Sequence, residues 1–436
     1  MDSERAETHL RLLAERELRR AQDPARQPGP SRTTPAAVIT VSQVAHALVM
    51  AGALDNATGG SIVQELALAL ESRQPESPPS PGPRSRRWWP AGMSSAARPA
   101  AVRPLLVATG LTMSIPDGTL HLLSYLQTSH RTRFLVVART ADPAGLDGLT
   151  ASDEAGTRYR LTFTGGSSSH DWAGELVVSP DPPPGLRWLE IAGPGSPAQR
   201  IELIAGPGPD CSTTGVPPSP GEHLLQVTAA DLLARLPDFP PEERRAQAAG
   251  SQLPSVNPNF GEIVRALESA GALSPDSRVP GQFAVLCEAV GIDDHGLTIP
   301  SNQDLPGPWA GVLTSDRRAK PPDGCAGIAL TLPEIDGIVV SVTGLDTVDG
   351  ISTLHLHASG MVSFRHRIGV HPLPLIWLRD SGGSWHATCY SGGGQTNGEG
   401  IMQLTVIPAL SRPDWIEVVA SGRSAEVRAT VPLRWG

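Results

Sequence analysis

Histidine is the residue type in this 436-residue chain best suited to chemistry, and it is unevenly placed. Five of the twelve histidines, His355, His357, His366, His371 and His386, lie in the last quarter of the chain. His355-Leu356-His357 is an H-x-H pattern. On a β-strand alternate side chains share a face, so the two imidazoles can chelate one divalent metal with a third ligand from a neighbouring strand. The same spacing also fits two polar-face histidines flanking core positions Leu354 and Leu356. A divalent metal at His355 and His357 is the cofactor reading the sequence offers. No organic cofactor is expected and no catalytic residue is assigned.

Other chemical-looking patterns weaken on spacing. Ser167-Ser168-Ser169-His170-Asp171 contains all three residue types of a nucleophilic triad, but such triads assemble in space from separate segments. The later stretch Gly394-Gln395-Thr396-Asn397-Gly398 replaces them, which points to a polar loop tip. Gly193-Pro194-Gly195-Ser196-Pro197-Ala198 matches G-x-G-x-x-A, yet its prolines oppose the helix that a dinucleotide fingerprint must open. Trp188/Glu190 and Trp415/Glu417 each stand two apart on a predicted strand. The two glutamates would serve as an acid/base pair only if brought within about 5–10 Å of each other. The plainer expectation is that Leu189/Ile191 and Ile416/Val418 face the core while Trp-x-Glu faces outward. Arg84-Ser85-Arg86-Arg87-Trp88-Trp89 resembles an anion-binding run. The alternative is that Trp89, like Trp309, plugs a sheet edge.

Composition removes whole classes. Lys+Arg is 35 against Asp+Glu 44, a net charge of −9, so no basic surplus exists to meet a phosphate backbone. Lys320 is the only lysine and Pro321 follows it, which excludes the G-x-x-x-x-G-K-[ST] loop and the kinase lysine. Cys211, Cys287, Cys325 and Cys389 are far apart without C-x-x-C spacing, against a disulfide framework or structural zinc. The start Met1-Asp2-Ser3-Glu4-Arg5 is polar rather than signal-like, and the apolar stretch Ala36 to Leu54 is interrupted by Thr40, Ser42, Gln43 and His46. A cytoplasmic protein without membrane insertion is the expectation.

The elements that must position these residues repeat along the chain. Ala51-Gly52-Ala53-Leu54 recurs as Ala270-Gly271-Ala272-Leu273, offset 219. Thr119-Leu120-His121-Leu122 recurs as Thr353-Leu354-His355-Leu356, offset 234, each after an Asp-Gly pair. At offset 227 Asp153 matches Asp380, Gly165-Gly166 matches Gly392-Gly393, and Trp188-Leu189-Glu190-Ile191 matches Trp415-Ile416-Glu417-Val418. These offsets lie near half the chain length and run in one order, the mark of a tandem duplication. Apolar spacing of 3–4 predicts helices over Glu4–Ala21, Val41–Ala51, Ile62–Leu70, Phe260–Ala270 and Phe283–Val290, the later four as two αα-hairpins. Short β-branched runs bounded by Gly, Pro, Asp and Ser follow each hairpin, about seven strands in about 105 residues.

The predicted fold class is mainly β with helical modules, a tandem duplication of a unit made of an α-helical hairpin followed by an antiparallel β-sandwich. The predicted domains are an N-terminal helical module (1–74), a Pro/Arg-rich linker (75–99), β-sandwich 1 (100–205), a linker (206–221), helical module 2 (222–300) and β-sandwich 2 (301–436). The β parts resemble immunoglobulin-like accessory domains in architecture only, since the Cys…Trp…Cys spacing of antibody domains is absent. The expected function is a non-enzymatic protein-interaction or scaffold protein with two similar β modules, a protein as partner, and no nucleic acid. The alternative is a metal-binding protein or enzyme with its site in the His-rich second β part.

Overall fold

The computed structural model describes residues 1–22, 33–71, 101, 103–128, 131–140, 146, 148–168, 171–193, 196–204, 209–213, 218–236, 260–291, 304–317, 320–361, 374–396 and 398–436. It is mainly β, with two antiparallel sheets and seven helices among these residues.

The helices are α1 (Ser3–Gln22), α2 (Thr33–Met50), α3 (Asn56–Glu71), α4 (Pro220–Ala234), α5 (Phe260–Ser269), α6 (Val279–Ala289) and α7 (Gly307–Thr314). In α1 the pairs Glu7–Arg11 and Glu15–Arg19 lie on the exposed side, while Ala6, Leu10 and Leu13 are buried. The recurring Ala-Gly-Ala-Leu stops α2 and α5 in the same way. Gly52 and Gly271 take φ of 70° and 61°. The next amides, Ala53 and Ala272, donate to Leu48 and Leu267, and the glycine amides donate to Val49 and Glu268. This is the Schellman closure, which needs a residue without a Cβ at its left-handed position. Helix α4 falls largely where a linker and the start of the second helical module are expected. Its signal is nevertheless present: Ser219 and Glu222 form a reciprocal capping box with Pro220 in the first turn.

The strands are β1 (Leu105–Ile115), β2 (Gly118–Gln127), β3 (Thr132–Thr140), β4 (Thr150–Asp153), β5 (Arg158–Ser168), β6 (Asp171–Ser179), β7 (Trp188–Ala192), β8 (Gln199–Glu202), β9 (Cys211–Thr213), β10 (Gly324–Thr331), β11 (Val339–Val348), β12 (Ile351–Ser359), β13 (Leu375–Asp380), β14 (Trp385–Thr396), β15 (Glu399–Ile407), β16 (Trp415–Ser421) and β17 (Glu426–Pro432). Sheet A runs β1-β2-β3-β6-β5-β4-β7-β8; sheet B runs β10-β11-β12-β15-β14-β13-β16-β17-β9. Strand for strand the order is the same, with β9 added from the Pro-rich connector to the β17 edge. Hydrogen bonding is continuous across each sheet. Apolar residues from β1 through β8 of sheet A meet in one cluster, and Gln199 and Ser196 bond back to the β1 carbonyls of Thr112 and Ser114. Sheet A is therefore curled over on itself, with its core inside the curl.

Strand order decides which sequence matches share a position. The matches at offset 227 fall on corresponding strands, β4 with β13, β5 with β14 and β7 with β16. The Thr-Leu-His-Leu match does not. Thr119–Leu122 lies on β2 and Thr353–Leu356 on β12, whereas the counterpart of β2 is β11. Alternating apolar and polar residues after an Asp-Gly turn suit any half-buried hairpin strand, so the motif recurs without positional meaning. The true counterpart of the Asp117-Gly118 turn is Asp336-Gly337, with aspartate φ of 59° and 53°.

Packing groups elements by type and not by sequence order. Helices α1–α6 belong to one compact unit and both sheets to the other, the division falling inside α7 between Trp309 and Ala310. Trp309 is buried edge-on against Phe283 of α6, so it fills a helical core instead of plugging a sheet edge. Trp89 lies outside the described residues. No helix among the described residues is long and apolar enough to cross a membrane.

Within the β unit, β1 and β2 pack on β10 and β11. Matching bulges interrupt β1 and β10, and β2 and β11. At the β2 bulge Leu123 projects into sheet B and packs with Val137 and Cys325. Gly327 and Gly344 make room for it: a Cβ on Gly327 would overlap the Leu123 carbonyl oxygen, and one on Gly344 would sit 2.7 Å from the Leu123 side chain. Gly327→Ala is expected to cost roughly 1–3 kcal/mol in denaturant unfolding, because a backbone carbonyl cannot yield as a side chain would. Gly166→Ala, whose Cβ meets nothing within 4 Å, is the control and should stay within about 0.5 kcal/mol.

Candidate functional site

The H-x-H pair lies inside the β unit. His355 is 4% exposed and His357 is 0% exposed, both on β12. His355 Nε2 is hydrogen-bonded to Asp346 Oδ1 on β11. His357 Nε2 stands 3.7 Å from Glu399 Oε2 on β15, beyond hydrogen-bond reach, and neither ring nitrogen has a partner. The same Glu399 oxygen accepts from Arg133 Nη2 at 3.3 Å, and Arg133 Nη1 donates to Glu175 Oε2 at 2.8 Å. Arg133 belongs to β3 and Glu175 to β6. A charged chain, Glu175–Arg133–Glu399 with His357 behind it, thus crosses from sheet A to sheet B. The side chains of Arg133 and Glu399 are only 7% and 10% exposed. Six residues along β3, Arg139 makes a second crossing, donating to the Thr347 carbonyl at 3.3 Å with Asp323 at 3.9 Å.

Burial governs the ionisation of these groups. It lowers the affinity of His357 for a proton, Glu399 and Glu175 oppose that shift, and Arg133 adds to it; the net direction is down. Burial pushes the Glu399 carboxyl up, but His357, Thr128 and Arg133 outweigh it and hold it below the ordinary range. His121 on β2 is likewise lowered, by burial first and by Arg139 second. For a metal, the neighbouring strands do supply carboxylates, but not a shared one. Asp346 serves His355 and Glu399 faces His357. Among the described residues no group of three or more His, Cys, Asp or Glu is placed to hold a metal ion. His366 and His371 lie outside the described residues.

His386 takes a different place. Its Nδ1 meets the Pro408 carbonyl at 2.7 Å and its Nε2 meets Asp380 Oδ2 at 3.3 Å, at the wall of a cleft of about 350 Å³ lined also by Asp316, Ser384 and Trp385. Both ring nitrogens face acceptors, so none is left for a substrate. The corresponding hairpin of sheet A explains the arrangement. There Asp153 Oδ1 accepts from the Ala155 and Thr157 amides, and Asp153 Oδ2 accepts from the Tyr159 hydroxyl at 2.6 Å. In sheet B Asp380 Oδ1 accepts from the Ser384 amide. Each hairpin therefore opens on an aspartate clamped by the side chain six positions later, tyrosine in one and histidine in the other. The Tyr159 hydroxyl is pushed up to about 12 by burial and by the carboxylate beside it. Tyr159 holds Asp153 below the usual range. Burial pushes Asp380 up, but His386 and the Ser384 amide bring the net below it. Sequence spacing alone missed both clamps, although the Asp153/Asp380 match marked their position.

Trp188 and Glu190 on β7, and Trp415 and Glu417 on β16, are half-exposed, whereas Leu189, Ile191, Ile416 and Val418 are buried. The Arg200 guanidinium lies 4.2 Å from the Trp188 ring centroid. In sheet B Arg428 stands 3.9 Å from Glu417, in a groove of about 350 Å³ that Asp210, Ser212 and Thr430 also line. The Ser-His-Asp run falls partly outside the described residues, at Ser169 and His170, as does the Gly-Pro-Gly run at Pro194 and Gly195, and all of Arg84–Trp89.

No protein-family model matches the chain, and no curated protein matches it. A crystal structure of a conserved domain protein from Bacillus anthracis aligns over 76% of this chain and 90% of that one, at 8% identity and a TM-score of 0.15. Similarity at that level carries no argument about fold or function.

Arg133→Met removes the cation between two buried carboxylates and is expected to destabilise the chain by roughly 3 kcal/mol at neutral pH. Without Arg133 the folded-state Glu399 binds its proton more tightly than it does in the wild type. The deficit should therefore shrink as pH falls through the carboxylate range, as urea melts at stepped pH would read.

Proposed function

We propose that the chain is a tandem duplication and that its product is a non-enzymatic interaction or scaffold protein with two similar β modules. Sheet A folds over on itself, and the same strand order in sheet B favours the same two-layer build there, a build that resembles immunoglobulin-like accessory domains in architecture. The observation that carries this reading is the pair of matched outer faces. Trp-x-Glu stands half-exposed on β7 and again on β16, the corresponding strands of two sheets with the same order, with an arginine from the next strand beside it in each. Indole and guanidinium groups at the surface are the side chains most enriched at protein contacts. Two such faces on one chain would raise a partner's effective concentration without new contacts. The partner class is a protein. None of the four cysteines forms a disulfide, which favours a reducing compartment such as the cytoplasm.

The alternative places a metal or an active site in the His-rich second sheet, and the H-x-H pattern is what favours it. Against it stand the burial of His355 and His357 and their separate carboxylate neighbours.

Affinity capture from the native host with the tagged full chain tests the two against each other. Trp188→Ala and Trp415→Ala should each weaken retention of a protein partner, and together lower it by roughly a hundredfold if both faces engage it. Retention unchanged in the double variant, or wild-type protein that carries stoichiometric metal by mass spectrometry, overturns the interaction reading.

A further inference from the structure

We propose that the cleft at the end of α7, against the β13–β14 hairpin, is a binding site for an alkylguanidinium group. The cleft holds about 350 Å³, and all of its walls belong to the β unit. The end of α7 contributes Thr314, Ser315 and Asp316, the hairpin contributes Asp380, Trp385 and His386, and the segment after β15 closes the third side. A guanidinium presents five N–H donors in one plane, accepts nothing, and stacks on indole. Its complement is a concave site rich in lone pairs and poor in donors, with an aromatic wall.

The hydrogen bonds of the cleft leave that complement. Donors are spent within the walls: the Thr314 hydroxyl donates to the Ala310 carbonyl at 2.9 Å, and the Ser315 hydroxyl to the Gly311 carbonyl at 2.5 Å. Both His386 nitrogens are taken, by Pro408 and Asp380, and the Ser384 amide donates to Asp380. What the walls keep is acceptors, the two hydroxyl oxygens and the carboxylates of Asp316 and Asp380. Asp380 lies below the ordinary carboxylate range despite its burial, so it is ionised at neutral pH. Among the described residues no lysine or arginine lines the cleft, and the C-terminal end of α7 adds the negative pole of a helix dipole.

The indole is the part that the hairpin does not require. In sheet A the same hairpin carries Arg158 in place of Trp385 and Ser152 in place of its register partner Arg379, and the aspartate clamp is complete without a ring there. In sheet B the Arg379 guanidinium lies 5.8 Å from the Trp385 ring centroid, so this indole already draws a guanidinium from the protein itself. Gly311 brings α7 against the same residue, since a Cβ there would stand 2.9 Å from Trp385 Cβ and Cδ1. A glycine on one wall thus sets the width of the cleft, and aspartates on two walls set its charge.

The guanidinium can belong to a free small molecule or to an arginine of a bound polypeptide. Saturation-transfer NMR on the full chain separates them, with butylguanidinium for the first and capped Gly-Arg-Gly for the second. Butylurea and the citrulline tripeptide keep the shape without the charge and should stay silent. Transfer to butylguanidinium assigns a free cation, and transfer to the peptide alone assigns a partner's arginine. Asp316→Asn is expected to weaken binding about tenfold, and Gly311→Ala, which forces α7 away from Trp385, by a similar factor. Trp385→Leu supplies a further variant should Gly311→Ala not fold. Glu334→Gln, an exposed carboxylate between β10 and β11, should leave binding unchanged. No transfer to either guanidinium, urea analogues that bind equally well, or cleft variants that bind as Glu334→Gln does, each overturn the site.

Discussion

The buried Arg133–Glu399 contact is the constraint around which the β unit is arranged. Ions this deeply buried are tolerated only when paired, because each has given up its hydration and recovers it only from a partner at close range. Arg133 comes from the first sheet and Glu399 from the second, so neither sheet satisfies the requirement alone. Leu123, Val137 and Cys325 form an apolar cluster at the same contact. Shape and charge therefore do different work. The Leu123 bulge against Gly327 and Gly344 sets how closely the sheets approach, and the charged crossings set which residues stand opposite one another.

This division of labour changes how the reactive-looking residues read. Aspartate, histidine and tyrosine near one another invite a catalytic interpretation, yet at Asp153–Tyr159 and Asp380–His386 they brace the same hairpin in two sheets. A carboxylate that accepts the turn amides and one side chain completes the hydrogen bonding of a tight connection, where buried backbone donors would otherwise go unmet. The interchange of tyrosine and histidine shows that two different side chains of suitable reach serve the same position.

What the sequence determined was local. Helix spacing, the Ala-Gly-Ala-Leu stops, the hairpin aspartates and the inward Leu189/Ile191 and Ile416/Val418 were all legible, because each depends on periodicity or on a turn's need for a particular residue. The capping box of α4 was equally local and was hidden by its Pro-rich surroundings, and β9 is too short to carry a pattern at all. Tertiary structure alone decided the rest. It put the Thr-Leu-His-Leu repeats on strands that do not correspond, gathered helices from both halves into one unit, and buried His355 and His357 where alternation could say only that they share a face. The physical reason is that a strand's two faces are defined by what packs on them. Arg133 and Glu399 are separated by more than half the chain, and no spacing rule reaches that far.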